Sequence, residues 1–247
     1  MNITILGSGT MVSPFKRNPS GYLLESKKHK ALLDCGPGVL QKLNQLNVDV
    51  LDIDSIFLSH FHQDHCSDVM AILMRRYLLK ADSNQKMVLF GPVGLKYWFN
   101  CLSLTQGDWI KKLPPILIES DSSEYDWAGY KIKTQKTLHT ENSIAYMFIG
   151  LKRFFYSGDT DYQDELVKFA HKADMAIVEC SRSDKQAVDG HLTPAKLARF
   201  INNSGIKHTV VSHIYPENDT PDLKNRILKD NNFNLEIADD LMKLNLI

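Results

Sequence analysis

The stretch Ser59-His60-Phe61-His62-Gln63-Asp64-His65 places three imidazoles and a carboxylate immediately after the short apolar run 53–58. A run of that length bounded by polar residues reads as a buried strand. Ligand-type side chains at a strand end need a rigid sheet beneath them, because the sheet fixes geometry while the loop presents the side chains. The arrangement recurs: His139 follows the predicted strand 130–137, Asp159 follows 153–157 and His213 follows 209–212. A chain patterned this way can assemble a ligand set from loops at the ends of several strands.

Further strands are predicted at 2–6, 21–25, 30–33, 87–90, 116–119, 143–149 and 175–179. Helices are predicted from Gly38 to near Leu46, over 67–80 with Val69, Ile72, Leu73 and Tyr77 on one stripe, over 161–172, and over 193–204, where Pro194 suits the first turn. The segment 107–115 reads as a loop. Hairpins come first and mixed β/α units later, so two sheets flanked by helices, an α/β architecture, would accommodate the chain. One domain over 1–247 is expected, with no repeat or Gly/Ser-rich linker.

Hydrophobic residues make up 43% and charged residues 23%, enough for a sizeable core. The 29 basic and 29 acidic side chains cancel, which excludes a global attraction to nucleic acid or anionic membrane. The first residues enter a strand without a secretion signal, and no run approaches a membrane span, so a cytoplasmic location is expected. Cys35, Cys66, Cys101 and Cys180 form no CxxC pair and read as reduced thiols.

Nine histidines in 247 residues would produce H-x-H-x-D-H by composition on the order of once in a thousand such chains. Imidazole nitrogen and carboxylate oxygen suit zinc, manganese or iron, and a catalytic ion keeps a position for water. His60, His62 and His139 would hold one ion, and Asp64, His65 and His213 a second. Asp159 would bridge them. Asp34 would hydrogen-bond a ligand imidazole and fix its tautomer, or cap a turn. Ser8 and Thr10 would line the pocket. Asp68 and His171 read as surface or helix residues.

With His139, Asp159 and His213 in that order, the cluster resembles the dinuclear site of the metallo-β-lactamase superfamily. "ITILGSGT" at 3–10, "LLDCGPG" at 32–38, "DGHLTP" at 189–194 and "IADDLMKLNL" from Ile237 are similar to the ribonuclease Z-like branch. The resemblance implies an αββα sandwich of two mixed sheets flanked by helices. It also implies two divalent ions, zinc or else Mn2+ or Fe2+, sharing a bridging hydroxide. His191 becomes a proton donor and oxyanion partner, Asp64 both ligand and proton acceptor. Relatives dimerise through helices beside the histidine loop, so the apolar segment 69–79 is expected to offer a homodimer face. Arg75 and Arg76 would frame an anionic substrate.

Ribonuclease Z carries a tRNA-gripping arm between the counterparts of His139 and Asp159, whereas about twenty positions separate them here, enough for strand, turn and strand. The expectation is therefore a phosphodiesterase acting on a small or cyclic nucleotide-type ester. The competing readings are a lactonase, thioesterase or arylsulfatase, a tRNA 3′-processing endonuclease, which the missing arm argues against, and a non-catalytic metal or ligand carrier.

Overall fold

The computed structural model describes residues 1–13, 16–81, 86–120, 125–229 and 231–246. Its first sheet takes β1 (Asn2–Gly7), β2 (Gly21–Ser26), β3 (His29–Cys35), β4 (Ile53–Phe57), β5 (Val88–Gly91) and β6 (Ile116–Glu119) side by side in chain order. The second takes β7 (Tyr125–Trp127), β8 (Tyr130–Lys136), β9 (Ile144–Ile149), β10 (Arg153–Tyr156), β11 (Met175–Glu179), β12 (Thr209–Ser212) and β13 (Leu235–Ile237) in the same way. The last strand, β14 (Lys243–Asn245), returns to pair antiparallel with β1. Pairing is parallel from β3 to β6 and from β10 to β13.

Side chains alternate across each strand, so each sheet offers two apolar faces. Tyr22 and Leu24 of β2 face the other sheet while Leu23 faces helices; Phe154 and Tyr156 of β10 face inward while Phe155 faces outward. The inner layer centres on Phe57, whose ring lies 5.4–6.1 Å from those of Phe90, Tyr125, Trp127, Tyr146 and Phe148. Outside the first sheet pack α1 (Val39–Gln45), α2 (Gln63–Cys66), α3 (Val69–Leu78), α4 (Leu95–Ser103) and α5 (Trp109–Lys112). Outside the second pack α6 (Asp164–Phe169), α7 (Pro194–Ser204) and α8 (Leu223–Leu228). The order of layers is αββα. Thr193 caps α7 by accepting from Lys196 N, with Pro194 in the first turn.

Several expectations need correction. The segment 107–115 contains α5, with Ile110 buried and Trp109 5.9 Å from Tyr77. Tyr77 is only partly buried; the inward position at that end of α3 belongs to Arg76, which donates to the carbonyls of Val50, Leu51 and Ile53. Arg75 donates to Asn44. The Arg76 contacts hold the turn before β4, so this buried guanidinium does not frame a substrate. Helix α6 starts only at Asp164, because Asp161 N donates to Leu138 O and the Asp161 carboxylate takes Lys196. Ser8 and Thr10 are fully buried rather than pocket-lining; the Ser8 hydroxyl donates to Asp240 and accepts from Arg17. Asp68 is no bystander either, since it accepts from the N–H groups of Gly38 and Leu40 at the start of α1.

Candidate metal centre

Parallel strands end at one edge of both sheets, the place where α/β folds present side chains to ligands. Asp34 lies near the end of β3, residues 59–65 follow β4, Asp159 follows β10, Glu179 ends β11 and His213 follows β12. Asp34 (φ 53°) and His213 (φ 52°) adopt the left-handed backbone region, an unfavourable conformation for residues with a Cβ that is tolerated where it aims a side chain. Gly36 is required for a different reason: a Cβ there would lie 2.1 Å from Asp64 O, so the glycine of "LLDCG" lets β3 touch the histidine loop.

His60, His62, His139 and Asp159 each offer a ligand-type atom, all within 4.8 Å of one another; Asp64, His65 and His213 form a second such group, and Asp159, His191 and His213 a third. Asp159 stands at the centre. Its Oδ2 lies 3.8 Å from His60 Nε2, 3.6 Å from His139 Nε2 and 3.5 Å from His213 Nε2, and its Oδ1 lies 3.3 Å from His65 Nε2. His60, His65, Asp159 and His213 are buried at the back; His62 and, less so, His191 reach solvent.

Buried polar atoms normally have hydrogen-bond partners. Here His60 Nε2, His65 Nε2 and Asp159 Oδ1 are buried and have none. They point into the same cluster, and a nitrogen and oxygen donor set of this kind suits a divalent cation. Charges fit the same conclusion. Burial pushes His60 well below the usual imidazole range, and the neighbouring His65 adds to that. Burial would lower His65 too, but Asp159 and Asp34 outweigh it and raise it well above 6.5, a proton standing where positive charge is wanted. Burial would raise Asp64, yet the hydrogen bond and charge of His213 hold it below the usual carboxylate range.

Around these side chains lies a set of orienting groups. Asp34 Oδ2 accepts from His65 Nδ1 at 2.7 Å, from Ser59 Oγ at 2.7 Å and from Tyr156 OH at 2.5 Å, while Oδ1 takes Ser59 N. His139 Nδ1 lies 3.0 Å from Gly190 O, and Gly190 (φ 84°) leaves the room this approach needs. Glu179, which the motifs did not single out, accepts from Thr160 N, Ser181 N, Ser181 Oγ and Leu192 N, and lies 3.0 Å from His191 Nδ1. Burial lowers His191, but the Glu179 carboxylate more than offsets it and raises His191 to about 9. A signal was present: Glu179 closes an apolar strand just as Asp34 does. Tyr215 stands beside His191 and His213, with the Arg182 guanidinium 3.8 Å above its ring.

The αββα sandwich and this edge define a metallo-β-lactamase-fold protein of the ribonuclease Z-like branch. The crystal structure of the metallo-β-lactamase fold protein YhfI from Bacillus subtilis matches with a TM-score of 0.86 over 98% of both chains at 22% identity. Human tRNase Z, short form, matches with 0.77 over 100% of both at 22% identity. Ribonuclease Z of Methanosarcina acetivorans is 22% identical over 321 aligned positions, covering 100% of this chain and 98% of its own length. The chain itself belongs to the family described as anti-Pycsar protein Apyc1, whose profile matches residues 1–228.

Proposed function

We propose that the chain is a phosphodiesterase that uses two divalent ions to hydrolyse a small or cyclic nucleotide-type ester. The observation that carries this reading is His191, held by Glu179 and with its ring 4.7 Å from that of His139 and 5.8 Å from that of His213. A protonated imidazole beside a ligand cluster is the device needed where an alkoxide must leave. The chain between His139 and Asp159 runs only through β9, a turn and β10. That shortness supports a small ester over tRNA.

His60, His62 and His139 would hold one ion, Asp64, His65 and His213 the other, with Asp159 shared. Bound zinc, manganese or iron would supply a lowered water pKa and charge neutralisation at a phosphoryl oxygen. Glu179 orients His191 so that Nδ1–H is retained and Nε2 can donate to the leaving oxygen, a contribution of about 10²–10⁴ in rate. Asp64 combines ligation with proton acceptance. Both sheets contribute ligands, which supports one hydrolase domain over 1–247. The exposed Met74, Leu78 and Leu79 support a homodimer through the α3 side, which light scattering would check.

The test uses metal-loaded protein on 3′,5′-cyclic nucleotides and bis-p-nitrophenyl phosphate, with His191→Ala alongside and lactones, thioesters, aryl sulfates and precursor tRNA as competitors. Metal-dependent turnover of both diesters is expected, falling at least a hundredfold in His191→Ala for the cyclic nucleotide, whose alkoxide needs a proton. Turnover of a competitor class alone would overturn the reading.

A further inference from the structure

Two buried serines repeat one hydrogen-bond pattern, once in each sheet. Ser59 Oγ lies 2.7 Å from Asp34 Oδ2 and 3.0 Å from His60 Nδ1. Ser181 Oγ lies 2.5 Å from Glu179 Oε2 and 2.8 Å from His213 Nδ1. Each carboxylate also holds a second imidazole directly, Asp34 that of His65 and Glu179 that of His191. Both serines are buried, at 1% and 0% exposure, so water does not compete.

A hydroxyl has one proton to give. A carboxylate can only accept, and a charge-assisted bond at 2.5–2.7 Å outcompetes the other acceptor near Ser181, the His213 carbonyl at 3.3 Å. The proton therefore goes to Asp34 and to Glu179. The serine oxygen is left as an acceptor facing Nδ1 of its histidine, and that nitrogen must carry the hydrogen. In the neutral ring, the form that binds a cation, Nε2 of His60 and of His213 is then the lone-pair nitrogen, and both Nε2 atoms face Asp159.

We propose that Ser59 and Ser181 are positioning residues that fix His60 and His213 as Nδ1–H tautomers, each serving a different one of the two ions. The assignment to ions rests on the metal reading above; the assignment of tautomers does not. Each sheet thus carries a carboxylate–serine–histidine relay ending at the shared Asp159. The pattern also gives the short sequence signals a purpose: the serine immediately before His60 and the serine two residues after Glu179 sit where a strand end meets the next ligand.

The experiment compares wild type with Ser59→Ala, Ser181→Ala, Ser59→Thr and Ser181→Thr. Long-range ¹H–¹⁵N spectra of the metal-free proteins read the tautomers, and chelator competition reads the affinity of each ion. Wild type is expected to show Nδ1–H at both histidines. Ser59→Ala should release only His60 and weaken the ion of the His60, His62 and His139 group about 10- to 100-fold. Ser181→Ala should release only His213 and weaken the other ion by a similar factor. The threonine variants should retain both values. Wild type lacking Nδ1–H at either histidine, or alanine variants that weaken both ions equally in step with lost thermal stability, would overturn the assignment in favour of a general packing role. Wild type binding fewer than two ions would refute the two-ion reading, while the metal-free spectra would still decide the serines.

Discussion

Glu179→Gln offers the sharpest test of the acid at the leaving group. The substitution keeps size and removes the charge. Glu179 sits at 2% exposure among four donors from Thr160, Ser181 and Leu192 plus the His191 ring, so the new amide would turn N–H groups toward donors. Without the carboxylate, burial and the Arg182 charge lower His191 with only Asp159 opposing them, and it falls back toward the ordinary imidazole value of about 6.5. At pH 8 a group at about 9 is about 90% protonated and one at 6.5 about 3%, a loss near 30-fold. The assay is kcat/KM against pH for a 3′,5′-cyclic nucleotide, whose alkoxide needs a proton, and for bis-p-nitrophenyl phosphate, whose nitrophenolate does not. Bound cations shift both proteins by the same field, so the separation of the alkaline limbs is the quantity to read. We expect a limb at least two pH units lower in Glu179→Gln for the cyclic nucleotide, and little change for the nitrophenyl ester. Superimposed profiles, or equal losses on both substrates, would refute the role given to Glu179.

Other outcomes follow from the same contacts. In metal-free protein the raised His191 contributes stability that is complete below pH 6.5 and disappears as pH rises through about 9, up to about 3 kcal/mol; the urea midpoint should fall across that window, and His191→Gln should lack the fall. Arg76→Ala strands the carbonyls of Val50 and Ile53 and should cost about 3 kcal/mol, lowering Tm by about 6–12 °C without changing metal affinity. Zinc at about 100 times its Kd should stabilise the chain by about 2.7 kcal/mol, reversed by chelator. Phe57→Ala opens the inner layer and should cost about 3–5 kcal/mol in a denaturant titration.

What could be read in advance was local. Strands such as Met175–Glu179 are continuous apolar runs whose period and length suffice. The three-residue strands β7, β13 and β14 are too short to show alternation, and α4 went unread although Leu95 and Phe99 share its buried face. The candidate ligands stood out because each sits directly after a strand. Their supports did not, since His213 and Ser181 are 32 residues apart and only the packing of β11 beside β12 brings them together. Arg76 misled for a related reason: a buried guanidinium satisfied by three carbonyls looks, in sequence, like any helix surface cation.

The candidate centre lies on a seam. Residues 59–65 come from the first sheet, His139, Asp159 and His213 from the second, and the two are sewn together by Ile144 N to Ser59 O at 2.9 Å, Tyr146 OH to Leu58 O at 2.6 Å and Ile214 N to Ser8 O at 3.0 Å. Ions held there would act as rivets through both plates. Their release on heating should then coincide with the sheets parting rather than precede it, and a chain severed between β6 and β7 should recover its metal only when the two pieces are refolded as one.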